Sequence, residues 1–196
     1  MGASGVCFAL FPVLRPWSDK SLAAAGMVEA FASPWWLVAH GLGALGFVLL
    51  AAALAFGRRG WPAWLAAAGT ALLLPYYGYE SLGLHGVAVA GPAEAVPAIA
   101  DAVRYGPAAM TVFGLGLLAW AVVGVGLAVQ QWRSGRPRWA AVPLALGLVT
   151  YLPQFFLAPE GRIAHGVLML VGAVVLAWFE WRRVGVPRMT SRRSAE

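Results

Sequence analysis

From Trp35 to Phe56, and again from Pro107 to Gln130, the chain runs without a single charged residue. At about 1.5 Å of rise per residue each run is long enough to cross the roughly 30 Å hydrocarbon layer of a bilayer. Inside that layer every backbone N–H and C=O has to be satisfied within the segment, so such runs become helices. Apolar runs and their breaks mark six segments: a short Val6 to Leu14, then Trp35 to Phe56, Trp61 to Val89, Pro107 to Gln130, Trp139 to Leu157 and Gly161 to Trp181. A hydrophobic share of 61%, a charged share of 11% and a mean hydropathy of +0.73 leave no material for a soluble surface. The fold expected is an all-α polytopic membrane helical bundle, with about six transmembrane segments arranged as antiparallel hairpins. It forms one domain over residues 1–183, followed by a basic cytoplasmic tail over 184–196.

Orientation follows from the basic residues. Arg58, Arg59, Arg133, Arg136, Arg138, Arg182, Arg183, Arg188, Arg192 and Arg193 fall on one side of these segments, and only Arg15, Lys20, Arg104 and Arg162 on the other. The positive-inside rule then puts both termini in the cytoplasm. The excess of arginine over lysine, with abundant alanine and glycine, fits a GC-rich bacterial genome and hence a bacterial cytoplasmic membrane. The net charge of +6 is explained by this topology: anionic membrane lipid is the partner expected, and nucleic acid is not. The first segment begins so near Met1 that either the helix starts at the methionine or the recorded start is clipped. No basic stretch precedes it, so a signal peptide is not expected. A lone Cys7 makes no intrachain disulfide.

Short connections at Gly57 to Gly60, Arg133 to Arg138 and Ala158 to Glu160 imply helical hairpins. Longer outer segments run from Arg15 to Pro34 and from Ala90 to Gly106, and Ser21 to Ala32 reads either as an interfacial helix over the pocket or as an ordered loop. A faint repeat is visible. Pro12, Pro75 and Pro153 recur near the outer halves of three helices, while Val38-Ala39-His40-Gly41 and Ile163-Ala164-His165-Gly166 reach Arg58-Arg59 and Arg182-Arg183 at nearly equal spacing. In the middle hairpin Phe113-Gly114 stands where the others have His-Gly. Three hairpins related by pseudo-symmetry would produce this, and so would chance in an Ala, Gly and Leu-rich chain.

All three histidines, His40, His85 and His165, precede a glycine and lie at a similar depth, roughly 6 to 9 Å below the outer face by helical rise. Tyr76, Tyr77, Tyr79, Glu80, Ser81, Thr111, Thr150, Tyr151 and Gln154 share that half, whereas the inner half is nearly all Ala, Leu, Val and Gly. Ionisable side chains inside a membrane are costly and by default functional. The expectation is therefore an outward-facing pocket centred on His40, Glu80, His85 and His165. Protonation, a histidinium, Arg162 or a metal would compensate Glu80.

Three chemistries follow. His40, His85, His165 and Glu80 are candidate ligands for zinc, or a histidine pair for haem iron, although no two share a helix at i, i+4 spacing. Metal-free acid/base catalysis on a lipid, isoprenoid or other small hydrophobic substrate would use Glu80 as acid and His85 or His40 as the later proton acceptor, as in a proton-initiated cyclase or isomerase. Tyr76, Tyr77, Tyr151, Gln154 and Arg162 are the candidate substrate-binding residues. A small transporter or an assembly protein is the third class, with Thr70 the only polar residue along the inner half. Arg104 and Arg162 at the rim are expected to pair with Glu160, Asp101 or Glu94 at the surface, Arg162 being the better functional candidate. No Asp-rich pyrophosphate motif, phosphate-binding glycine loop, His-Glu-x-x-His helix or serine-hydrolase elbow is present.

Overall fold

Three apolar runs become helices long and apolar enough to cross a membrane, Pro34–Phe56, Pro107–Arg133 and Pro159–Arg182. The computed structural model describes residues 1–20, 23–57, 60–135 and 137–184, and among these there is no strand. In chain order the helices are α1 (Gly2–Leu14), α2 (Ala24–Ala32), α3 (Pro34–Phe56), α4 (Trp61–Gly78), α5 (Leu84–Ala90), α6 (Val96–Tyr105), α7 (Pro107–Arg133), α8 (Val142–Val149) and α9 (Pro159–Val184). The expected all-α bundle is what forms. The positions of the expected tail from 185 onward, and of Arg58, Arg59 and Arg136, lie outside the described residues, as does the Arg183 side chain.

Local chemistry sets the ends. Ser33 caps α3 by accepting from the Trp35 N–H at 3.2 Å, with Pro34 in the first turn where its missing N–H costs nothing. At the end of α1 the Pro12 carbonyl has no helical donor, because residue 16 is also proline, and the Trp17 indole N–H takes it at 3.2 Å. Gly60 turns the chain into α4 at a φ of 65°, in the left-handed region that favours glycine.

Six helices, α1, α3, α4, α7, α8 and α9, form a ring in which each packs on the next and α9 returns to α1. Lipid tails give apolar helices little reason to associate, so close backbone approach has to hold the ring. Glycines provide it at several seams. A Cβ on Gly166 would lie 2.7 Å from the Phe8 carbonyl oxygen of α1, one on Gly116 3.0 Å from the Gly69 oxygen of α4, and one on Gly124 3.0 Å from the Ala145 oxygen of α8. Leu45, Leu118, Val125 and Val171 stay exposed on the outside, as expected where the surroundings are hydrocarbon.

The ring is filled by aromatic side chains. Phe47 meets Phe8 and Tyr151 at 4.9 Å and Trp120 at 5.3 Å between ring centroids. The three hairpins also repeat one contact: His40 lies on Phe11, Phe113 on Tyr76 and His165 on Tyr151, at 5.3, 4.0 and 5.3 Å. Matching positions on α3, α7 and α9 thus pack against an aromatic within two residues of the recurrent prolines, at a different offset in each hairpin.

Two segments depart from a simple six-span reading. The third continues from α4 through a π-helical turn, Tyr79–Gly83, into α5. The fifth is not continuous: α8 stops at Val149 and the chain turns before a short 3-10 stretch, Pro153–Phe156. At the same end, α2, α5 and α6 form a cap with its own core of Ala30, Phe31, Trp36, Leu84, Val96 and Ala100. Of the two readings of Ser21 to Ala32, interfacial helix or ordered loop, a helix forms over Ala24–Ala32; α6, in the segment read only as a long outer connection, was not expected.

Candidate functional site

The cap meets the ring through charges. α6 buries Val96, Ala100 and Arg104, a stripe at i, i+4, i+8 whose last member is an arginine. Arg104 donates from Nε to both Glu80 oxygens at 2.9 and 3.2 Å, and from its terminal nitrogen to Glu80 Oε1 at 2.8 Å and to Asp19 Oδ2 at 3.1 Å. Arg15, four residues before Asp19, donates to the same Asp19 oxygen at 2.6 Å. All four side chains are buried, Asp19 and Glu80 at 2% and 6% exposure. Burial works against the Arg104 charge, but Glu80 and then Asp19 outweigh it and raise its pKa above the ordinary value. For Arg15 burial prevails and lowers it, with Asp19 pulling the other way.

The π turn presents Glu80. Leu84 N–H reaches back to the Tyr79 carbonyl and not to that of Glu80, whose carbonyl instead accepts the Trp36 indole N–H at 2.7 Å. Single π turns of this kind tend to occur at functional sites. Trp36 also stacks on His40, with centroids 4.0 Å apart. The His40 Nδ1–H donates to the Trp36 carbonyl at 2.8 Å, and its Nε2 stands 3.9 Å from Glu80 Oε1.

Between this network and the aromatic filling lies a cavity of about 190 Å³. Arg15, Lys20, His40, Glu80, Arg104 and Arg162 supply its polar wall, and Tyr76, Phe113 and Phe155 are among its apolar lining, with Tyr77 at the floor. A narrower cleft of about 10 Å³, room for about one water, adjoins it and shares Phe11, Arg15, Phe155 and Arg162.

The expected pocket of four residues divides. Glu80 and His40 face one another; Tyr76, Tyr77 and Arg162 share their cavity. Tyr151, Gln154 and His165 line the neighbouring cleft. The Tyr151 and Tyr77 hydroxyls are 3.4 Å apart, and the His165 Nε2–H donates to the Gly147 carbonyl at 2.9 Å. His85 lies outside both spaces, half-buried within the cap, where its Nδ1–H donates to the Phe31 carbonyl at 2.8 Å. Among the described residues no three of His, Cys, Asp and Glu come together as a metal-holding group. Each histidine has one ring nitrogen committed to a carbonyl, but the remaining nitrogens do not converge.

Two expectations need correction. Arg104 is not a rim residue paired with Asp101 or Glu94; it is buried and is the compensating charge of Glu80. Arg162 does not pair with Glu160: its guanidinium donates to the carbonyls of Leu157 and Phe155. Arg15, Asp19 and Lys20 were missed because they fall in what reads as a loop. The i, i+4 spacing of Arg15 and Asp19 and the Val96, Ala100, Arg104 stripe were the available signals.

No protein-family description matches the chain, and no solved structure matches it. The chain is similar to curated proteins of Mycobacterium bovis and of two strains of Mycobacterium tuberculosis, each named an uncharacterized transporter, at 34% identity over 166 residues. The match covers 71% of this chain and 26% of those proteins, so the chain spans about a quarter of the length of the curated relatives it matches. Together with the apolar helices and their exposed aliphatic faces, this similarity makes the chain an integral membrane protein.

Proposed function

We propose that this membrane protein binds a small molecule in the cavity beneath its cap, and that the cap end faces the outside of a bacterial cytoplasmic membrane. The observation that carries this is a 190 Å³ space walled by a buried charge network on one side and aromatic rings on the other. Pockets that combine a few convergent polar groups with an apolar lining are the usual form of a small-molecule site. The positive-inside rule supports the orientation, since Arg133, Arg138 and Arg182 lie at the end opposite the cap. The metal and acid–base alternatives draw less support: the histidines do not converge, and the Arg104 fork already occupies both Glu80 oxygens.

Cavity filling tests this. Met110 lies at the cavity wall and is 45% exposed, so Met110→Trp is expected to fold like wild type. Native mass spectrometry of protein extracted from its own membrane should show small-molecule adducts on wild type that the variant lacks. Equal adducts on both would overturn the assignment.

Transport is the second reading, favoured by the breaks in two segments beside the cavity and by the names of the similar mycobacterial proteins. Interrupted helices commonly frame substrate sites in carriers. Phe47, Trp120 and Tyr151 close the ring below the cavity, which corresponds to a carrier open on one side.

A further inference from the structure

The charges on the cavity do not balance. Four cationic side chains line it, Arg15, Lys20, Arg104 and Arg162, against two carboxylates, Glu80 and Asp19, both already engaged by Arg104 and Arg15. Among the described residues Arg162 donates only to main-chain carbonyls and lies over the Trp17 and Phe155 rings at 5.3 and 5.5 Å, with no carboxylate in ion-pair contact. Arg15, 6% exposed, lines the cavity and spends one terminal nitrogen on Asp19. A surplus of buried cations is costly unless an anion meets it.

We propose that the ligand is a small organic anion, with a carboxylate-type headgroup held by Arg15 and Arg162 and an apolar body lying among Tyr76, Phe113 and Phe155. This rests on the cavity being a binding site. Guanidinium groups match planar oxyanions through paired N–H donors. Size restricts the body: a dry cavity of about 150 Å³ takes a benzene ring, so 190 Å³ admits one ring or a short chain plus its headgroup. The Arg15 guanidinium is held over Trp17 and Trp36 at 4.5 and 4.9 Å. The donor is therefore positioned before the ligand arrives, which lowers the cost of binding.

The experiment is isothermal titration of the full chain in detergent with benzoate, with benzyl alcohol as its neutral counterpart, and with acetate. Benzoate is expected to bind about tenfold more tightly than either, a difference within reach of one charge-assisted contact. Arg15→Gln and, as a second variant, Arg162→Gln should each remove the preference over benzyl alcohol while leaving benzyl alcohol binding in place. Equal affinity for benzoate and benzyl alcohol, or an unchanged preference in both variants, overturns the anion assignment and leaves the cavity as a binding site. Acetate binding as tightly as benzoate overturns the apolar body. Failure of benzoate and benzyl alcohol alike overturns the assignment together with the binding-site reading beneath it.

Discussion

Truncating Arg104 to alanine should be among the most damaging single changes in the molecule. At an effective dielectric of about 20, its attraction to Glu80 at 2.8 Å is about 6 kcal/mol and to Asp19 at 3.1 Å about 5 kcal/mol. Taking the charges out of water costs several kcal/mol per ion, so the intact network contributes far less than that sum. Removal of one partner is different: Asp19 keeps Arg15, but the Glu80 carboxylate is left buried with no hydrogen-bond donor among the described residues, because the His40 ring N–H is committed to the Trp36 carbonyl. Breaking a buried pair this way costs about 3–5 kcal/mol. In Glu80→Gln Arg104 retains Asp19, so the cost should be smaller, about 2 kcal/mol. The double variant leaves no unpaired Glu80 charge, and the coupling in a double-mutant cycle should be at least about 2 kcal/mol. Unfolding in mixed micelles, titrated with a denaturing detergent, gives each value. Additive costs, or an Arg104→Ala variant within about 0.5 kcal/mol of wild type, would refute the reasoning.

The three His-Gly pairs should respond differently when glycine becomes alanine. Gly41 and Gly86 have open space where a Cβ would go, so Gly41→Ala and Gly86→Ala should be neutral or gain up to about 1 kcal/mol from helix propensity. Gly166→Ala places its Cβ 2.7 Å from the Phe8 carbonyl oxygen at the seam that closes the ring, and should lose about 1–3 kcal/mol in the same unfolding assay. Ser33→Ala removes the α3 cap and should cost about 1 kcal/mol. Because the histidines do not converge, adding zinc to purified protein should leave its melting midpoint unchanged; a rise lost in His40→Ala would restore the metal reading.

The spans were legible because hydrocarbon enforces one simple pattern, an uncharged run closed by Gly, Pro or Arg. The cap was harder to see. In α6 the apolar stripe ends in Arg104, and a charge at that position reads as the start of the surface unless its partners are known. Those partners, Glu80 and Asp19, are 24 and 85 residues away in sequence, and nothing local pairs them. The break after α8 has a proline on each side, Pro143 at its start and Pro153 just beyond, yet Pro12 and Pro75 sit inside helices that continue. A membrane proline therefore marks a place where a break is tolerated without saying that it occurs. The polarity of the outer half marked the end of the bundle at which the cavity lies. It did not sort the histidines, because depth along a helix fixes their level and not the direction each side chain faces.

The most direct test of a cavity open only at the cap end, facing outward, is thiol labelling with a membrane-impermeant reagent in a Cys7→Ala background. Tyr76 stands on the cavity wall, and Leu73, 1% exposed, lies one turn deeper among the packed side chains of the ring. In intact cells Tyr76→Cys should label and Leu73→Cys should not, and in inverted vesicles neither should. Labelling of Tyr76→Cys only in inverted vesicles, or equal labelling at both positions, would contradict the account.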